Sequence, residues 1–178
     1  MTQYTICVYG ENAVGLLNKI TILFTRRRIN IESLTVSETV RKGVSRFTIG
    51  IKHEKREEVE KLVRQIRKVV EVLAVFGYLN QDIVYNEIAL FKIPTPVNAK
   101  PLDIDTINKV YKAWVVYWEL DYVVIEKTGS EEEIFEFFRY LKPHGITEFV
   151  RSGRVAVGKT PQGLVEYLPE EMEWEYSV

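Results

Sequence analysis

Cysteine, histidine and methionine are scarce in this chain: one, two and two among 178 residues. A single cysteine, Cys7, cannot close an internal disulfide, which points to a reducing compartment, the cytoplasm. The histidines, His53 and His144, fall in polar connecting segments, and no metal-ligand spacing, glycine-rich phosphate loop or nucleophile elbow occurs. Long apolar runs are missing as well: none approaches the roughly 20 residues that span a bilayer. The opening Met1-Thr2-Gln3 lacks the basic and apolar stretches of a signal peptide. Nor does one sign of charge dominate. Lysine and arginine number 24 against 25 acidic residues, a net charge of −1 that gives nucleic acid no global electrostatic purchase. An RNA-binding sheet would also need a basic face set with exposed aromatics. With no acid, base or nucleophile set in view, an enzyme in its own right is the least expected class.

What the chain does have is a core, with 46% hydrophobic and 28% charged residues. Tyr4 to Tyr9 alternates as a strand does, Ile6 and Val8 on one face and Thr5, Cys7 and Tyr9 on the other. From Val14 the apolar spacing becomes helical through Leu17, Ile20 and Phe24, with Leu16 and Leu23 widening the stripe. Arg26-Arg27-Arg28 suits the negative end of that helix dipole, and a solvated helix end explains it without a partner. Ile29 to Val40 is β-rich, with a change of phase near Glu32-Ser33 that predicts a bulge. Arg41-Lys42-Gly43 reads as a hairpin connection, and Ser45 to Lys52 as a strand with Phe47, Ile49 and Ile51 to one side. A second helix from about Glu54 carries Val59, Leu62, Val63, Ile66 and Val70 at helical spacing. Val70 to Tyr78, apolar on both faces, reads as a strand buried on both sides or at an interface.

Pro94, Pro96 and Pro101 mark a loop-rich break, around which the same order recurs. Glu87 to Ile93 is a strand, Leu102 to Tyr111 a short helix, and Ala113 to Leu120 with Tyr122 to Lys127 an antiparallel pair. Trp114, Tyr117, Trp118 and Tyr122 on that pair fit a core or subunit interface better than a cofactor box. Ser130-Glu131-Glu132-Glu133 spells a capping box, opening a helix with Ile134, Phe135, Phe138 and Leu141 inward. Ile146 to Val157 closes the pattern as one last strand. The expected fold is α+β, two tandem ferredoxin-like βαββαβ domains over residues 1–82 and 83–165, followed by an acidic tail, 166–178.

One segment invites chemistry. Gly10-Glu11-Asn12-Ala13-Val14-Gly15 joins a strand to a helix N-terminus, where free backbone N–H groups and the dipole favour an anion such as a carboxylate. Gly15 would let a ligand approach the backbone closely. Asn12 and Asn30 carry carbonyl oxygens able to accept from an ammonium group, so a zwitterionic amino acid is a sensible ligand. On these residues alone, Asn12 as a helix cap and Gly15 as a turn residue is the stronger reading. Asn30 meets the first loop readily only if a paired subunit supplies it.

Glu11-Asn12, Gly15-Leu16-Leu17, the run Asn30-Ile31-Glu32-Ser33-Leu34-Thr35-Val36, and Ser45-Arg46 with Thr48-Ile49 resemble the N-terminal ACT domain of acetohydroxyacid (acetolactate) synthase small subunits. Glu87 to Ile93, Thr128-Gly129-Ser130 and Arg151-Ser152-Gly153 are similar to that family's C-terminal domain, so the likeness spans roughly residues 3 to 160. It implies a non-catalytic regulatory subunit that dimerises through its ACT domains and binds valine or a related branched-chain amino acid between them. Asn12, Ala13, Val14, Gly15, Leu16 and Leu17 would form the effector loop, with Asn30 and Ile31 from the facing subunit. It further implies a separate catalytic large subunit, which would hold thiamine diphosphate, Mg²⁺ and FAD, leaving no cofactor on this chain. The small subunit would activate that enzyme and impose feedback inhibition. The alternative is a free-standing ACT-type sensor acting on another enzyme or a transcription factor. The chain departs from the family at Arg28, where a glycine is usual. An arginine at positive φ would be strained, so the helix is expected to end differently here.

Overall fold

The computed structural model describes residues 1–95 and 101–160; Pro96 and the acidic tail at 166–178 lie outside them. The chain forms two compact units, one of residues 1–84 with the described residues from Gly153 onward, the other of Tyr85–Ser152.

The first unit runs β1 (Thr2–Glu11), α1 (Leu16–Arg26), β2 (Ser33–Glu38), β3 (Val44–His53), α2 (Arg56–Ile66) and β4 (Val72–Leu79). All pairings are antiparallel, in the order β2-β3-β1-β4. The period of two decides which face is buried. Tyr4, Ile6 and Val8 of β1 lie in one core cluster with Phe47, Ile49 and Ile51 of β3, and Ile6 pairs with Ile49 in register. Helix α1 brings Leu16, Ile20 and Phe24 onto them, and α2 brings Val59, Leu62 and Ile66, spacings that put each set on one stripe. Each fully buried aliphatic or aromatic side chain here contributes about 1.5–3 kcal/mol. The bulge expected near Glu32-Ser33 is absent. The β2–β3 register runs unbroken from Ser33 to Glu38, and the phase changes there because Ile29 to Glu32 is the connection leaving α1. Val70 is exposed in the turn between α2, which ends at Ile66, and β4, so it belongs neither to the helix stripe nor to the strand.

The second unit repeats the order as β5 (Ile83–Pro94), α3 (Ile104–Lys109), β6 (Ala113–Trp118), β7 (Tyr122–Gly129), α4 (Glu131–Leu141) and β8 (Glu148–Arg151). Its sheet order, β6-β7-β5-β8, is the same permutation as in the first. The capping box at Ser130 forms as the sequence predicts: the Glu133 amide donates to Ser130 Oγ at 3.2 Å, and the Ser130 amide to Glu133 Oε2 at 2.7 Å. That second bond holds the Glu133 carboxyl below the ordinary glutamate range. Phe91 centres the core and meets Phe137 edge-on at 5.2 Å. Phe137 is the buried phenylalanine of α4 and Phe135 is exposed, because the inward stripe runs through Ile134, Phe137 and Leu141. Trp114, Tyr117 and Trp118 are also exposed, outside the core.

The single closing strand expected from Ile146 to Val157 divides. After β8 the chain passes through Ser152-Gly153-Arg154 into β9 (Val155–Gly158), which groups with the first unit. There Arg154, 1% exposed, donates to Asn80 Oδ1 at 2.9 Å and to Thr5 Oγ1 at 3.3 Å. Arg46 donates to the carbonyl of Ala156 and to Cys7 Sγ, with its guanidinium over the Tyr9 ring. The segment therefore covers the side of the first sheet that faces away from the helices. Cys7 lies beneath it as a small buried group.

Candidate functional site

The loop between β1 and α1 is set by close backbone packing. A Cβ on Gly10 would meet Leu16 Cδ2 at 2.6 Å and the Glu71 carbonyl at 2.9 Å, so only glycine lets the strand pass there. Glu11 N–H then donates to Glu71 O at 2.9 Å, Asn12 N–H to Gly43 O at 2.7 Å, and Ala13 N–H to Glu11 O at 2.7 Å. These bonds turn the chain from the sheet into the helix. Gly15 occupies the N-cap position of α1 with φ +88°, a left-handed conformation that suits glycine. Space around it is open, with nothing within 4 Å of a would-be Cβ. The reason for glycine is thus its backbone angle, and close ligand approach is not needed to explain it.

The start of α1 is bare. It has no side-chain cap and no acidic residue in its first turn. The Leu17 and Asn18 amides have no acceptor among the described residues, so the orphan donors and the positive end of the dipole face outward. The other long helices differ: α2 opens on Glu57 and Glu58, and α4 on Ser130 and three glutamates. Asn12 is not the cap. Its amide nitrogen donates instead to Glu38 at the end of β2. Asn12, Ala13, Val14, Gly15 and Leu17 are exposed, and only Leu16 is buried, anchoring the loop in the core. On its flank Lys19 pairs with Glu71, whose carboxyl that bond holds below the ordinary range.

The far end of α1 places Asn30. Arg28 adopts φ +55°, a left-handed conformation. Arg28 N–H donates to Thr25 O at 3.0 Å and Ile29 N–H to Phe24 O at 3.1 Å, and Ile29 and Phe24 are both buried. That is a Schellman ending with its hydrophobic contact, the end a glycine would make. The expectation that the helix ends differently is therefore overturned; the arginine bears the strain. Asn30 is exposed and donates to Glu32 Oε1 at 2.9 Å, while Ile31 is half-buried against the core.

Residues 12 to 17 form one continuous loop, but Asn30 and Ile31 are not beside it within one chain. The loop is tied to Glu38, the last residue of β2, whereas Asn30 precedes the first, Ser33. Six residues of strand put these ends about 20 Å apart. Strand β2 is an edge of the sheet, paired only with β3 among the described residues. Glu38 and Glu32, which orient the two asparagines, are not picked out by the sequence reading. Glu32 lies within the Asn-Ile-Glu run, but no local signal links Asn12 to a residue 26 positions away.

Residues 6–74 match the family described as the AHAS small subunit-like ACT domain, and residues 86–160 match the small subunit of acetolactate synthase. The acetolactate synthase small subunit of Bacillus subtilis is 39% identical over 151 residues, 85% of this chain and 87% of that protein. A probable acetolactate synthase small subunit of Archaeoglobus fulgidus is 33% identical over 155 residues, 87% of this chain and 96% of that one. The crystal structure of the acetolactate synthase small subunit from Thermotoga maritima superposes with a TM-score of 0.79 at 26% identity, covering 91% of this chain and 100% of that one. This chain belongs to the acetolactate synthase small subunit family, and its first unit carries that family's ACT domain.

Proposed function

We propose that the chain is the regulatory subunit of acetolactate synthase in branched-chain amino acid biosynthesis, and that it binds valine or a related amino acid between two ACT domains. The observation that carries the site is the bare N-terminus of α1, presented by an exposed loop beside an edge strand. Two β2 edges pairing antiparallel across a two-fold axis bring the Glu38 end of one beside the Ser33 end of the other. The loop at 12–17 of one protomer then faces Asn30 and Ile31 of its partner. In that seam the Leu17 and Asn18 amides receive the effector carboxylate, and the asparagine carbonyl oxygens accept from its ammonium. Leu17 and Ile31 line the space for a branched side chain.

Effector binding in such a seam stabilises one pairing of protomers over another, and that difference in affinity is what a bound catalytic subunit senses. In this reading the chain activates a catalytic large subunit and imposes feedback inhibition on it. Thiamine diphosphate, Mg²⁺ and FAD reside on that partner. Calorimetry of the purified chain with valine, leucine and isoleucine tests the reading. One site per chain for at least one of the three is expected; no heat with any of them overturns it.

A further inference from the structure

Strand β4 is the second edge of the first sheet, paired only with β1 among the described residues. Between it and α2 runs a groove of two adjoining cavities, about 450 and 410 Å³, which share Val63, Gly77 and Tyr78 as walls. The backbone of β4 opens into it. The Val75 carbonyl accepts from Arg67 Nη2 at 3.1 Å, and the Leu79 amide donates to Asp82 Oδ2 at 3.3 Å, so both residues turn away from β1. Gly77, midway between them and exposed, turns its N–H and C=O the same way by the period of two. An apolar groove beside an open backbone pair suits an extended peptide. Arg56, Arg64 and Arg67 stand along it. Of the two acids on the same rim, Glu60 pairs with Arg56 and Asp82 takes the Leu79 amide. Arg64 is exposed and has neither hydrogen bond nor ion pair among the described residues.

The chain's own next segment is delivered to this groove. Gly158 lies against the Tyr78 ring, where a Cβ would meet Oη at 3.0 Å, and the Lys159 amide donates to the Asp82 carbonyl at 2.9 Å. Tyr78 and Asp82 are both groove residues. The 18 residues at 161–178 carry five glutamates and no lysine or arginine. Within them Met172-Glu173-Trp174-Glu175-Tyr176 alternates apolar with acidic side chains, a match for apolar walls edged by arginine. Reach is ample: the 8 residues of β4 span about 26 Å, less than half of what 18 extended residues cover.

We propose that residues 161–178 dock in the α2–β4 groove of their own chain, glutamates against Arg64 and Arg67 and apolar side chains against Val63 and Tyr78. The inference does not depend on the effector reading. A glutamate-specific protease tests it on the full chain, with cleavage inside 161–178 followed by mass spectrometry beside a free peptide of the same sequence. The full chain should be cut there about tenfold more slowly than the peptide, at any chain concentration, because only the undocked population is open to the protease. Arg64→Glu should bring the rate to within about twofold of the peptide's, since it sets like charges against each other. Arg64→Gln should give an intermediate rate, and it reads the same contact should the reversed charge disturb the fold. Cutting of the wild type at the peptide's rate overturns the proposal. So does protection that both Arg64 variants leave intact, which would put the segment elsewhere. Protection that grows with chain concentration overturns it as well, giving the groove to the tail of a second copy.

Discussion

Asn12 and Asn30 stand at opposite ends of one edge strand, Asn12 bonded to the last residue of β2 and Asn30 lying three residues before the first. No rotamer change brings them together across about 20 Å. Antiparallel pairing of two such strands does so twice, once at each end. The free edge is the kind of surface that recruits a second strand.

Gly15→Asp places a carboxylate where the effector's own should sit. Valine sensitivity of the reconstituted enzyme is expected to vanish while activation of the catalytic subunit persists. Gly15→Ala is the control for the backbone, since φ +88° alone costs a Cβ residue about 1–2 kcal/mol. A normal response of Gly15→Asp to valine would remove the site from this loop.

Arg28→Gly relieves a strained helix end. Arginine at φ +55° costs about 1–2 kcal/mol, part of which the extra chain entropy of glycine offsets. A net gain of about 1 kcal/mol in urea unfolding is expected. An unchanged or lower midpoint would show that the arginine side chain makes up for its backbone.

Much of this was legible in the sequence because it is local. The period of two placed Ile6, Val8, Phe47, Ile49 and Ile51 on one face, and the Ser130 capping box was readable from four consecutive residues. Phe135 and Phe137 were exchanged because a stripe of adjacent phenylalanines fits two helical phases equally well. The split at Ser152-Gly153-Arg154 was missed although Arg151 to Arg154, four residues without an apolar side chain and with a glycine among them, interrupt the alternation there. What ends β8 there is Arg154 reaching Thr5 and Asn80, partners far away in the chain. At the site, the loop and both asparagines were visible as residue types. Their separation along β2, and the glutamates holding them, belong to tertiary structure.

Ser130→Ala removes one half of the capping box and should cost about 1 kcal/mol at neutral pH. Glu133 supplies a pH-dependent half. Its folded-state pKa is depressed, so its stabilisation is full above the ordinary glutamate range and is lost as pH falls through the lowered value. Wild type is therefore expected to lose stability more steeply than Glu133→Gln below about pH 4.3. Parallel acid unfolding curves would contradict the assignment.

Arg154→Ala cuts the bonds from the closing segment to Thr5 and Asn80. Cys7, 2% exposed on the sheet face where that segment is bound, should then react faster with a thiol reagent. A labelling rate unchanged from wild type would mean that the segment is held without the arginine.

The shared site is tested most directly by a mixed dimer of one Asn12→Ala protomer and one Asn30→Ala protomer. With the site built across the seam, one of its two sites carries both substitutions and the other carries neither. Calorimetry with the best-binding branched-chain amino acid should then find one site per dimer at wild-type affinity, although each homodimer binds weakly or not at all. If the mixed dimer is as defective as its parents, Asn12 and Asn30 do not meet across two chains.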